Sequence, residues 1–153
     1  MNKDESIRFA ARYLEDLLSF FGINVAVTST IDDEVIQLSV PSTSLNSLLI
    51  GRNADNLRAL QHIVSMALVS KEAEVTRVNV DVANYKKQRA DRIAEKAEAW
   101  IGKVRKTGEP MEINLNAADR RIVHKVAGDY SDIETHSEGE GRERKLLISK
   151  IQN

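Results

Sequence analysis

The sequence LLIGRNADNLRAL, from Leu48 to Leu60, decides how the first half of the chain folds. Its apolar residues stop at Gly51, three polar or small residues follow, and apolar residues then return at helical spacing. Because glycine permits positive φ, the stretch predicts two helices joined by a tight loop. The first amide groups of the second helix lack partners within the helix and favour an anion such as phosphate. A plain helix–helix turn with solvated arginines explains the same residues.

The patterns on either side of this loop predict the order α-β-β-α-α-β for residues 1–84. They are a helical pattern at residues 4–21 and alternating patterns at 23–27, 36–40 and 78–82. Residues 85–153 predict a helix, a strand, a helix and two strands. We therefore expect an α+β chain of two domains, 1–84 and 85–153, that abut without a Pro- or Gly-rich linker.

Composition excludes several classes of function. The chain has 153 residues, a net charge of −1 and no cysteine, so it holds no disulfide and no thiolate metal site. No uninterrupted apolar stretch is long enough to span a membrane. The absence of cysteine suits the cytoplasm, which is where we expect the protein. Residues 1–84 carry seven Lys and Arg against eleven Asp and Glu, whereas residues 85–153 carry fifteen against twelve. The second half is therefore the better candidate for a polyanion surface.

Arg120 and His124 lie four residues apart in the predicted helix DRRIVHKV, so their side chains share one face. Arg121 and Lys125 repeat this spacing one step around the helix. A guanidinium group beside an imidazole suits a phosphate, because the first binds two oxygens and the second adds one N–H bond. Pairing of Arg120 with a glutamate, and a local network around His124, are the structural alternatives. A single histidine without ligands at metal spacing predicts no metal and no cofactor.

Two further groups of basic residues could either contact nucleic acid or be ordinary solvated surface. The predicted helix from residue 85 carries a stripe that suits a nucleic-acid backbone but also fits a solvated face whose aliphatic stems cover the core. Its members are Arg89, Arg92, Lys96 and Lys103. The Gly-rich charged loop at residues 137–144 could add Arg142 and Arg144 to a strand that passes Arg120 and His124.

The first half of the chain resembles a KH domain of the bacterial, type II arrangement. The resemblance rests on the element order and on Gly51-Arg52-Asn53-Ala54 between the two adjacent helices. KH domains hold about four nucleotides of single strand with a Gly-x-x-Gly loop. Ala54 replaces the second glycine of that loop. The resemblance implies nucleic-acid contacts from these four residues and from Arg58.

The second half resembles the R-3-H domain, which is named for its Arg-x-x-x-His motif and is associated with single-stranded nucleic acid. Both motifs in order, with NVDVANYKKQRADRIAE at the join and ETHSEGEGRERK near the end, resemble the bacterial Jag family of SpoIIIJ-associated proteins. This resemblance covers nearly the whole chain. The separate N-terminal domain of many members is expected to be absent, because the predicted first helix starts almost at Met1.

We therefore predict a non-enzymatic protein that binds single-stranded RNA, or single-stranded DNA, with modest sequence preference. The resemblance implies an RNA chaperone or post-transcriptional regulator, a small single-KH protein as partner, and links to cell elongation, cell wall synthesis or sporulation. A protein-interaction adaptor with weak or lost nucleic-acid binding is the alternative, and Ala54 and the acidic first half favour it. A phosphodiesterase that uses His124 lacks a second acid–base group.

Overall fold

The computed structural model describes residues 1–151 and divides into two compact units, Met1–Lys86 and Lys87 onwards. The last two residues of the predicted second domain lie outside the described part. Helices and strands in each unit confirm the α+β class. The elements are α1 (Lys3–Ser19), β1 (Thr28–Asp32), β2 (Val35–Val40), α2 (Asn46–Ile50), α3 (Asp55–Ser70), β3 (Val78–Val82), α4 (Tyr85–Thr107), β4 (Met111–Asn114), α5 (Ala117–Ala127), β5 (Ile133–Glu138) and β6 (Lys145–Lys150). Within residues 1–151, no helix combines the length and hydrophobicity needed to cross a membrane.

The first unit packs its helices on one face of a three-stranded sheet in the order β1-β2-β3. Strand β1 is antiparallel to β2, and β3 is parallel to β2. Alternate residues of β2 and β3 point to the helices, as the period of two requires. The fully buried side chains at the centre include Leu14 and Leu18 of α1, Leu38, Val64 of α3 and Val80.

The first predicted strand, at residues 23–27, is wrong. Strand β1 begins only at Thr28, which pairs with Ser39 near the end of β2. Continuing the register backwards would place Val27 opposite Val40 and Ala26 opposite Pro41, which cannot donate to a ladder. The amide of Val27 instead donates to the carboxylate of Glu15 at 3.1 Å. The alternating apolar pattern there therefore reflects partial burial without strand pairing.

The second unit places α4 and α5 against a sheet in the order β4-β6-β5, with both pairings antiparallel. Its core contains Ile101, Val104, Val123, Leu146 and Ile148, all fully buried. Helix α5 begins after Asn116, whose side chain accepts a hydrogen bond from the amide of Asp119 at 2.9 Å. This cap satisfies one of the first amides of α5 and fixes where the helix that carries Arg120 and His124 begins.

Candidate nucleic-acid interface

The loop between α2 and α3 is closed tightly around Gly51. This residue has φ 75° and ψ 177°, a combination that only glycine adopts readily. A Cβ at Gly51 would lie 2.7 Å from Cγ and 2.9 Å from the backbone nitrogen of Asn56. Asn56 is itself held, because its Nδ2 donates to the carbonyl of Leu48 at 2.7 Å. Any larger residue at this position would have to open the loop.

A short 3-10 turn, Arg52–Ala54, carries the chain from Gly51 into α3. Asn53 (φ 54°) and Ala54 (φ 61°) both have left-handed backbone. Asparagine tolerates this conformation, whereas it costs an ordinary L residue such as alanine about 1–2 kcal/mol. Ala54 thus occupies a position that suits glycine, at a cost in free energy of folding. The side chains of Arg52 and Asn53 are exposed.

The start of α3 combines the positive end of a helix dipole with a negative side chain. No side-chain hydrogen bond from the N-cap residue, Ala54, covers the first amides of the helix. Asp55 in the first turn, however, forms an exposed ion pair with Arg58. Arg58 is expected from the sequence to contact a phosphate, and such a phosphate would have to compete with the Asp55 carboxylate. The acidic residue directly after the loop is the feature of the sequence that indicates this competition.

In the second unit, two predicted residues meet at one depression. Arg120 on α5 and Arg142 in the loop before β6 both line a concavity of about 490 Å³, together with Asn114, Asn116 and Gly141. The depression lies at the start of α5, where the helix dipole favours negative charge. Arg120 is half-buried, and its Nη1 donates to the carbonyl of Leu115. That bond holds the guanidinium in place at the wall of the depression.

His124 has a different environment from Arg120. Its Nδ1 shares a hydrogen bond with Thr135 Oγ1, and its Nε2 shares one with Ser137 Oγ at 3.2 Å. The imidazole is half-buried between α5 and β5. Both ring nitrogens therefore already have protein partners. The guanidinium of Arg120 and the imidazole of His124, which were expected to act side by side, instead contact different parts of the protein. Within residues 1–151, no group of three or more His, Asp and Glu side chains is arranged to hold a metal ion.

The remaining predicted residues are exposed. Arg121 and Lys125 lie on the outer side of α5, and Arg144 follows the 3-10 turn Gly141–Glu143. Helical spacing places Arg121 about 100° around α5 from Arg120. These three side chains are thus available to solvent.

The ion pair between Arg89 and Asp119 was not predicted from the sequence. Arg89 Nη2 lies 2.7 Å from Asp119 Oδ2, and Asp119 is only 3% exposed. Arg89 therefore anchors the start of α5 and differs from the exposed Arg92, Lys96 and Lys103 of the same stripe. The sequence does contain an indication of this role, because Asp119 lies three residues after Asn116 and acidic residues are common in the first turn of a helix.

Known proteins support the assignment of the second unit. Residues 88–150 match the model of the R-3-H domain. The chain is 26% identical over 152 residues to RNA-binding protein KhpB of Bacillus subtilis (strain 168), covering 97% of this chain and 73% of that protein. It is 25% identical to RNA-binding protein KhpB of Clostridium symbiosum, covering 96% of this chain and 65% of that protein. The protein of the same name from Lactiplantibacillus plantarum is 22% identical, and the match covers 45% of it. Residues 88–150 are therefore similar to the R-3-H domain, in a chain that is similar along almost its whole length to RNA-binding protein KhpB.

Proposed function

We propose that this chain is a non-catalytic, cytoplasmic protein that binds single-stranded RNA through one site in each unit. The observation that carries the proposal is the convergence of Arg120 and Arg142 on one depression at the start of α5. The match to the R-3-H domain and the relatives named as RNA-binding proteins support the same class of function.

The depression suits a backbone phosphate by both shape and charge. A guanidinium group binds two phosphate oxygens at once, and two arginines on one concavity can approach the same phosphate from different elements. The hydrogen bond to Leu115 restricts Arg120 before any ligand arrives. Less side-chain entropy is then lost on binding than for a freely moving surface arginine.

The Gly51 loop is the proposed second site, and the first unit is the proposed type II KH domain. Support comes from the tight turn between α2 and α3, the exposed Arg52 and Asn53, and the first amides of α3, which no N-cap side chain covers. Asp55 opposes anion binding here and partly neutralises Arg58. We therefore assign the larger share of affinity to the depression in the second unit.

Phosphate contacts carry little sequence information, so the sequence preference should be modest. The chain has only one Trp, three Phe and three Tyr, which leaves few aromatic side chains for base stacking. The role as an RNA chaperone or post-transcriptional regulator, and the small single-KH partner, belong to the same proposal. They rest on the family resemblance.

Fluorescence anisotropy with a labelled single-stranded RNA of about 12 nucleotides tests the proposal. This length can occupy two sites at once, because a KH domain contacts only about four nucleotides. Arg120→Ala and Arg142→Ala should each weaken binding several-fold and reduce the salt slope by about one. Arg8→Ala, which removes an exposed arginine of α1 that belongs to no proposed contact, is the control and should change affinity little. Single-stranded DNA and duplex RNA of the same sequence serve as competitors. Equal loss of affinity in all three variants, or tighter binding of the duplex, would contradict the proposal.

The adaptor without nucleic-acid binding remains a second candidate, favoured by the Asp55–Arg58 pair at the Gly51 loop. It predicts that the wild-type chain fails to bind single-stranded RNA even at about 50 mM salt, where electrostatic binding is strong.

A further inference from the structure

We propose that the depression at the start of α5 distinguishes RNA from DNA, and that the side-chain amide of Asn116 does so by donating a hydrogen bond to a ribose 2′-hydroxyl. The inference rests on the proposed RNA binding. It adds the part of the nucleotide that the same depression recognises beside the phosphate, which Arg120 and Arg142 are proposed to bind.

The amide of Asn116 is held in one orientation by its role as the N-cap of α5. Its Oδ1 accepts a hydrogen bond from the backbone amide of Asp119 at 2.9 Å. Because a backbone N–H can only donate, the atom that faces it must be the oxygen, and the NH2 group is left on the other arm of the planar amide. Among the residues that the structure describes, none forms a hydrogen bond with Nδ2 of Asn116. The cap therefore leaves a donor in a fixed orientation on an exposed side chain that lines the depression.

Asn114 supplies a second amide at the same depression. Its side chain is exposed and forms no hydrogen bond within residues 1–151. Unlike Asn116, it can turn either its oxygen or its NH2 group towards a ligand. A hydroxyl group both donates and accepts, so a donor from Asn116 and an acceptor from Asn114 together match it.

The composition of the depression favours the sugar over the base. Bases of single strands are held by stacking on aromatic rings or on guanidinium planes. None of the described residues that line the depression is aromatic, and both of its arginines are assigned to the phosphate. The 2′-hydroxyl is attached to the carbon next to the one that carries the 3′ phosphate, so a polar group beside a bound phosphate reaches the ribose before it reaches the base. This hydroxyl is the group by which a protein tells RNA from DNA.

The experiment compares strands of one sequence that contains only A and C, so that the thymine methyl group does not differ between RNA and DNA. The full chain is titrated with labelled RNA, DNA and 2′-fluoro RNA at one salt concentration. RNA should bind about three- to tenfold more tightly than DNA, which is the effect of about one net hydrogen bond. The 2′-fluoro strand keeps the sugar conformation of RNA, but fluorine accepts hydrogen bonds weakly and donates none. It should therefore bind like DNA.

The Asn116→Ser substitution separates the two roles of this residue. Serine is as good an N-cap as asparagine, so the midpoint of thermal unfolding should change little, but its short side chain lacks the NH2 group. The preference for RNA over DNA should largely disappear while the affinity for DNA is retained. Asn114→Ser should reduce the preference in part. Asn24→Ser changes an exposed asparagine of the first unit that belongs to no proposed contact, and this matched control should keep the full preference.

Three results would overturn the inference and leave the proposed nucleic-acid binding in place. They are equal binding of RNA and DNA by the wild-type chain, 2′-fluoro RNA that binds as tightly as RNA, and a folded Asn116→Ser variant that keeps the preference. The second result would assign the discrimination to sugar conformation, and the third to another part of the chain. The 2′-fluoro comparison uses the wild-type chain, so it decides even if Asn116→Ser fails to fold. If no strand binds, the proposed RNA binding fails and this inference fails with it.

Discussion

His124 on α5 shares a hydrogen bond with Thr135 on β5 through its Nδ1 atom. The bond connects the helix that carries Arg120 to the strand beside it, and Ser137 holds the other ring nitrogen. The histidine of the Arg-x-x-x-His motif therefore connects α5 to β5 in this structure. We propose that this connection orients the helix whose start forms the depression, and that His124 is a positioning residue.

His124→Ala should lower the free energy of unfolding by about 1–3 kcal/mol, because it removes half-buried packing and leaves two hydroxyl groups without their partner. Urea denaturation measures this change. Lys125→Ala, an exposed neighbour, is the control and should have little effect. RNA affinity, measured where both variants are folded, should fall less for His124→Ala than for Arg120→Ala. The reverse order of affinities would assign direct contact to the imidazole.

Gly51→Ala should destabilise the first unit by about 1–3 kcal/mol, because it combines positive φ with a clash at Asn56. Gly22→Ala is the matched control, since Gly22 also has positive φ (76°) but a Cβ there would meet nothing within 4 Å. The difference between the two variants in thermal unfolding isolates the cost of the clash. Equal destabilisation would mean that the loop opens freely around Gly51.

Ala54→Gly should raise the free energy of unfolding by about 0.5–1 kcal/mol, because glycine removes the cost of the left-handed backbone at this position. The gain is reduced by the greater freedom of glycine in the unfolded chain. Ala99→Gly, at an exposed position inside α4, should instead destabilise by about 1 kcal/mol. RNA affinity should be preserved or increased in Ala54→Gly. A loss of stability at both positions would show that the left-handed conformation of Ala54 is not strained.

Asp55→Asn should strengthen RNA binding if the Gly51 loop is a phosphate site, because it removes a negative charge beside the proposed phosphate and releases Arg58. The gain should be about two- to fivefold at low salt and should shrink as salt is added. Asp16→Asn, an exposed aspartate on α1, provides the control. An Asp55→Asn variant with unchanged affinity would exclude the loop from the interface.

Arg89→Met should destabilise the second unit by about 2–3 kcal/mol, because it leaves the buried Asp119 carboxylate without this ion-pair partner. This loss of stability is smaller than that expected for breaking a fully buried ion pair, because Arg89 is itself partly exposed. Arg92→Met removes an exposed arginine of the same helix and should change stability little. Similar urea midpoints for the two variants would contradict a structural role for the pair.

The apolar patterns of the sequence predicted a helix or strand correctly where the buried residues also belong to a helix or to a paired strand. The helices that follow Gly51 and Asn116, and the strands at Val78–Val82 and Ile133–Glu138, appear where periodicity indicated them. The segment at residues 23–27 failed because strand formation requires a partner, which the alternation of apolar residues does not reveal. The match at residues 88–150 supports the predicted R-3-H domain, whereas the KH domain is a proposal.

Sequence alone determined the α+β class, the loop glycine and the Arg-x-x-x-His spacing, because these depend on backbone preferences and on periods of two and 3.6 residues. Only the tertiary structure decided that Arg120 faces a depression with Arg142, that Thr135 and Ser137 hold His124, and that Asp119 is buried against Arg89. The physical reason is that side chains distant in sequence compete for the same hydrogen-bonding groups. Their partners are set by how helices pack on sheets, which no local pattern specifies.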